Sequence, residues 1–144
     1  LGLGSLLALP GVILTGTISD YIGREGAAIL AYAISIIGVA AALLIDSADQ
    51  HFLLWVHACF FGITWGARGP AITAKTADLF GGPRLGTILG LITISSGVGA
   101  GLGAWGAGFL FDLTGSYQLG FMLSIAAYTT GAVVFWALRK PVKV

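Results

Sequence analysis

The stretch AAILAYAISIIGVAAALLI, Ala27 to Ile45, carries no charge and no polar side chain beyond Tyr32 and Ser35. A helix of this length rises about 28 Å, close to the thickness of a bilayer's hydrocarbon core. Its apolar residues run without the polar-apolar alternation of a barrel strand. A backbone in lipid must satisfy its own hydrogen bonds, so the stretch reads as a transmembrane helix.

Four further runs of similar character flank it: Leu1 to Ser19, Phe52 to Ala74, Leu85 to Phe111 and Gln118 to Leu138. Pro10 is expected to kink the first, and His57 and Arg68 interrupt the third. The spans are therefore about 1–19, 27–45, 52–74, 85–111 and 118–138. With 57% hydrophobic residues, 9% charged residues and a mean hydropathy of +0.97, the chain lacks the charge that covers a soluble globule. We read an all-α membrane protein with about five transmembrane helices in a single transmembrane domain, 1–144. The first residue, Leu1, already lies within a span, which predicts a piece of a longer protein.

The net charge of +1 gives no basic surface for nucleic acid, and the single cysteine, Cys59, allows neither an intrachain disulfide nor a CxxC pair. Basic residues cluster at alternate connections: Arg24 in the first, Lys75 and Arg84 in the third, and Arg139, Lys140 and Lys143 in the tail. The second and fourth hold Asp46, Asp49 and Asp112 instead. The positive-inside rule then puts the first and third connections and the C-terminus in the cytoplasm. Trp55, Tyr117 and Trp136 near span ends suit the membrane interface.

Glycine is abundant, 23 in all, and densest in the fourth span at Gly86, Gly90, Gly97, Gly99, Gly101, Gly103, Gly106 and Gly108. Small residues four apart let helix backbones approach, so Gly97, Gly101 and Gly103 are candidates for a close helix contact. The same glycines also suit a moving helix that lines a pathway. Within this run Gly101 to Gly106 matches G-x-G-x-x-G, yet continuous apolar helix on both sides excludes a nucleotide loop.

Arg68 requires an account, because a charge at the centre of a span is costly. Helical rise places it in the cytoplasmic third of its span, near Asp20 and Asp78. The leading expectation is a charge latch at the inner mouth from Asp20, Arg24, Arg68 and Asp78; contact with an anionic solute and simple snorkelling are the alternatives. His57 reads as a packed or interfacial histidine, with a proton relay as the alternative. Ser95, Ser96, Tyr128, Thr129 and Thr130 are candidates to line a solute pathway, although helix-to-helix bonding is the commoner use of such residues. No span holds Asp or Glu, and no H-E-x-x-H or Ser-His-Asp set is present, so an enzyme is not expected and neither a cofactor nor a metal is implied.

Gly16-Thr-Ile-Ser-Asp20-Tyr-Ile-Gly23-Arg24 resembles the cytoplasmic signature of the major facilitator superfamily, with Tyr21 and Glu25 where that family usually carries basic residues. Gly66 to Pro70, Ala77 to Gly81, Gly86 to Gly90 and Phe111 to Tyr117 resemble the last three spans of facilitators related to monocarboxylate and oxalate/formate porters. A Gly-Pro-Trp often found in those porters is Gly103-Ala-Trp105 here, so one helix-kinking proline is absent. The resemblance implies spans eight to twelve of a twelve-helix major facilitator fold, and a rocker-switch carrier of small organic anions moved with protons or by exchange. Its expected partners are the bilayer, a missing N-terminal half of the same transporter and the solute, with protons as candidate coupling ions. Its expected place is the plasma or bacterial inner membrane. A non-transporting assembly subunit or degenerate remnant is the main alternative, and a channel a third.

Overall fold

A computed structural model describes residues 2–45, 47 and 49–138, as five helices: α1 Gly2–Ile22, α2 Arg24–Leu43, α3 His51–Phe80, α4 Leu85–Thr114 and α5 Gln118–Ala137. Asp46, Arg139, Lys140 and Lys143, on which part of the charge asymmetry rests, lie outside the described residues. Three of the helices, α2, α4 and α5, are long and apolar enough to cross a membrane. The apolar run described for α1 is shorter, Leu6–Ile22. α3 carries Arg68, Lys75 and Asp78 within its 30 residues.

The helices outrun several apolar stretches because backbone hydrogen bonding does not stop where the lipid does. α1 runs three residues beyond Ser19, and α3 runs six beyond Ala74, ending at Phe80. Between α1 and α2 the break is a single residue, Gly23, with φ of 80° and ψ of 162°. A side chain is disfavoured there, so this glycine is what lets two helices meet in so short a turn.

α1, α2 and α3 pack together, and α5 lies along α2. The seams are built from small residues. A Cβ at Gly11 would overlap the Ile63 carbonyl, and one at Gly66 would overlap the Ala8 carbonyl, so α1 and α3 touch backbone to backbone. A Cβ at Gly38 would lie 3.1 Å from the Phe61 backbone nitrogen, so α2 and α3 also approach closely there. The buried apolar side chains are Ala27, Ala28, Ala31, Val39, Ala41, Ala42, Ala67 and Ala71, a core of alanines and one valine that keeps helix axes close.

α4 stands apart. It makes few contacts with α3 and α5, and none of its residues is buried. Among the described residues, no atom beyond the local backbone of α4 itself lies within 4 Å of a Cβ built at Gly97, Gly101 or Gly103. Within this chain, then, the close contact expected of those glycines is made by Gly11, Gly38 and Gly66 instead, because α4 lacks a neighbour along its length. Leu91, Ile94, Val98 and Leu102 are exposed on α4, a surface suited to lipid or to another helix.

Candidate functional site

The Gly23 turn throws the first two residues of α2 onto the last turns of α3. Arg24 Nη1 donates to the Ala74 carbonyl at 2.7 Å and pairs with Asp78 at 3.0 Å. Glu25 pairs with Lys75. The two pairs differ in burial: the Arg24 and Asp78 side chains are 41% and 48% exposed, those of Glu25 and Lys75 only 20% and 9%. The outer pair is screened by water and worth little, whereas the inner pair sits where losing one partner strands a charge.

Of the four residues from which a charge latch was expected, two come together in this cluster. Arg24 and Asp78 meet, but Arg68 joins neither Asp78 nor Asp20. Along α3, Arg68 lies about 10 Å from Lys75 and about 15 Å from Asp78 by helical rise, too far for its side chain to bridge. Asp20 is exposed and makes no ion pair among the described residues. Glu25 and Lys75 were missed as partners. The signal was present in the order of charges, since Arg24-Glu25 on one helix complements Lys75 and Asp78 on the other, a turn apart.

Arg68 instead meets aromatic rings. Its guanidinium carbon lies 4.8 Å from the centre of the Tyr128 ring, 5.7 Å from Phe61 and 5.8 Å from Trp65, and its Nε donates to the Thr64 carbonyl at 3.3 Å. Phe61, Trp65 and Arg68 follow one face of α3 at helical spacing. Tyr32 of α2 stands 6.2 Å from Tyr128 and 6.0 Å from Phe135, fitted over Gly131 of α5. Tyr128, expected as a pathway residue, is thus part of the Arg68 surround.

The other polar candidates bond their own helix. Ser95 and Ser96 donate to the Leu91 and Ile92 carbonyls, and Thr129 and Thr130 to those of Ile125 and Ala126; all four are exposed. Such bonds leave the hydroxyl oxygens able to accept. His57 Nδ1 donates to the Gly38 carbonyl at 2.8 Å, which ties α3 to α2 and fixes the neutral tautomer as the Nδ1–H form. At that end of the bundle a cavity of about 430 Å³ is lined by Ala42, Leu54, His57, Phe111, Tyr117 and Gln118, among others.

All 144 residues, 1–144, match the family model for the Major Facilitator Superfamily. The chain is 30% identical over 138 residues to monocarboxylate transporter 13 of Rattus norvegicus, covering 96% of this chain and 32% of that protein. It is 35% identical over 120 residues to monocarboxylate transporter 2 of Homo sapiens, covering 83% of this chain and 24% of that one. It therefore spans about a third or less of the curated relatives it matches. No solved structure gives a significant match.

Proposed function

The chain belongs to the Major Facilitator Superfamily, and from that premise we propose that it forms part of a secondary active transporter that moves a small organic anion, such as a monocarboxylate, by alternating access. Two relatives named monocarboxylate transporters support the solute class. The observation that carries the mechanism is the double ion pair between the Gly23 turn and the end of α3. Alternating access needs helices that rock as a unit, and charges that staple α2 to α3 at one end supply that rigidity. Arg24, Lys75 and Arg84 support a cytoplasmic location for this end in the cell membrane, with the C-terminus on the same side. Any carboxylate that carries a coupling proton would lie outside the five apolar spans, which contain none.

The test is uptake of radiolabelled monocarboxylates by proteoliposomes of the full-length protein. Saturable uptake that is accelerated by unlabelled anion inside the vesicle is expected. Absent flux, or flux that never saturates, would sink the carrier reading.

A second reading, a non-transporting assembly subunit, is favoured by one observation: α4 buries no residue and presents a glycine face without a neighbour. Co-purification with a different membrane protein, together with absent uptake, would select it.

A further inference from the structure

The geometry points to Arg68 as an oxyanion-binding site, one that takes a carboxylate or a phosphate. A guanidinium has five N–H donors. Among the described residues Arg68 uses one of them, Nε to Thr64, and forms no ion pair. The two carboxylates at the end of α3 and α2 are already engaged, Asp78 with Arg24 and Glu25 with Lys75. The terminal nitrogens of Arg68 therefore have charge and directed hydrogens with no acceptor among the described residues.

Its aromatic surround explains how such a cation is held without being neutralised. Tyr128, Phe61 and Trp65 present rings at 4.8 to 5.8 Å, distances at which a π-face attracts a cation. Ring contact leaves the guanidinium edges free, and those edges make the two parallel bonds of a carboxylate or phosphate fork. Phe61 and Tyr128 are themselves half-buried, which limits the screening of an ion pair formed there. Arg68 is half-buried, so an anion can reach it. The oxyanion has two sources, a solute carboxylate from the aqueous pathway or the phosphate of an anionic lipid; the solute source rests on the transport reading above.

The experiment uses the full-length protein in phosphatidylcholine nanodiscs, with two probes: equilibrium binding of radiolabelled lactate, and native mass spectrometry of phosphatidylglycerol adducts. Arg68→Gln is expected to weaken one of them by about tenfold or more, and Arg68→Lys to an intermediate degree, since lysine keeps the charge but loses the fork. Loss of lactate binding assigns the solute carboxylate; loss of the lipid adduct with lactate binding unchanged assigns the lipid phosphate. Wild-type protein that binds neither probe, or Arg68→Gln protein that binds both as the wild type does, overturns the site. An Arg68-dependent lipid adduct in a protein that takes up no anion overturns the transport reading alone. If the glutamine variant does not fold, phenylglyoxal labelling of wild-type Arg68, read by peptide mass spectrometry, decides: either probe should slow labelling at Arg68 relative to Arg84, and unchanged rates with both overturn the proposal.

Discussion

Ser35 of α2 and Thr64 of α3 share a hydrogen bond of 2.8 Å, and both side chains are sealed from the surroundings at 0% and 1% exposure. Each also bonds its own helix, Ser35 to the Ala31 carbonyl and Thr64 to those of Phe60 and Phe61. The pair sits between the Gly38 approach at one end and the Glu25–Lys75 pair at the other, so α2 and α3 are joined at three levels.

Breaking that bond should have a modest cost, because each hydroxyl keeps a carbonyl partner on its own helix. Ser35→Ala and Thr64→Val are each expected to cost about 0.6 to 1.7 kcal/mol, the range of interhelical hydrogen bonds in membrane proteins. The double variant should cost less than the sum of the two. Unfolding in detergent across the four-member cycle measures this, and strict additivity would contradict a direct interaction.

The two ion pairs should respond differently to neutralisation. Lys75→Met removes the cation paired with the largely buried Glu25 and is expected to cost about 3 kcal/mol, with recovery in the Glu25→Leu/Lys75→Met double variant. Arg24→Ala or Asp78→Ala removes an exposed pair and should cost about 1 kcal/mol or less. Thermal unfolding of the four variants is the measurement, and equal losses at the two pairs would contradict the burial difference.

Glycine substitutions should sort by helix. Gly11→Val and Gly66→Val force side chains into opposing carbonyls and should abolish folded protein, as judged by monodisperse elution in detergent. Gly97→Ala, which meets nothing among the described residues, should leave the packing of α1, α2 and α3 intact. If its replacement by leucine still blocks uptake by the full-length protein, a partner from outside the described residues packs on α4.

Orientation is testable by cysteine labelling after Cys59→Ala. Arg84→Cys should react with a membrane-impermeant maleimide only from the cytoplasmic side, and Ser116→Cys only from the other. The reverse pattern would invert the topology drawn from basic residues.

Much of the architecture was legible along the chain. The apolar run from Ala27 to Ile45 announces α2, and the polar break before it announces a connection, because both are local demands, whereas the left-handed turn at Gly23 was found only in the structure. The site was legible only in part. Arg24 and Asp78 were expected at one charge cluster, but Glu25 read as a departure from a family pattern and Lys75 as a topology marker. The clustering of glycines on α4 pointed to packing there, while the contacts within the chain fell to Gly11, Gly38 and Gly66.

The sequence by itself determined the solvent, the helices and the family. The penalty for polar groups in hydrocarbon acts residue by residue, so composition and run length are enough to read it. Tertiary structure alone decided which charges meet, which glycines touch and that Arg68 faces Tyr128 rather than a carboxylate. Those contacts join residues 22 to 60 positions apart, and they depend on the rotation and tilt of each helix about its axis. Lipid-facing and helix-facing positions are almost equally apolar in this chain, so periodicity leaves that rotation unspecified until the helices pack.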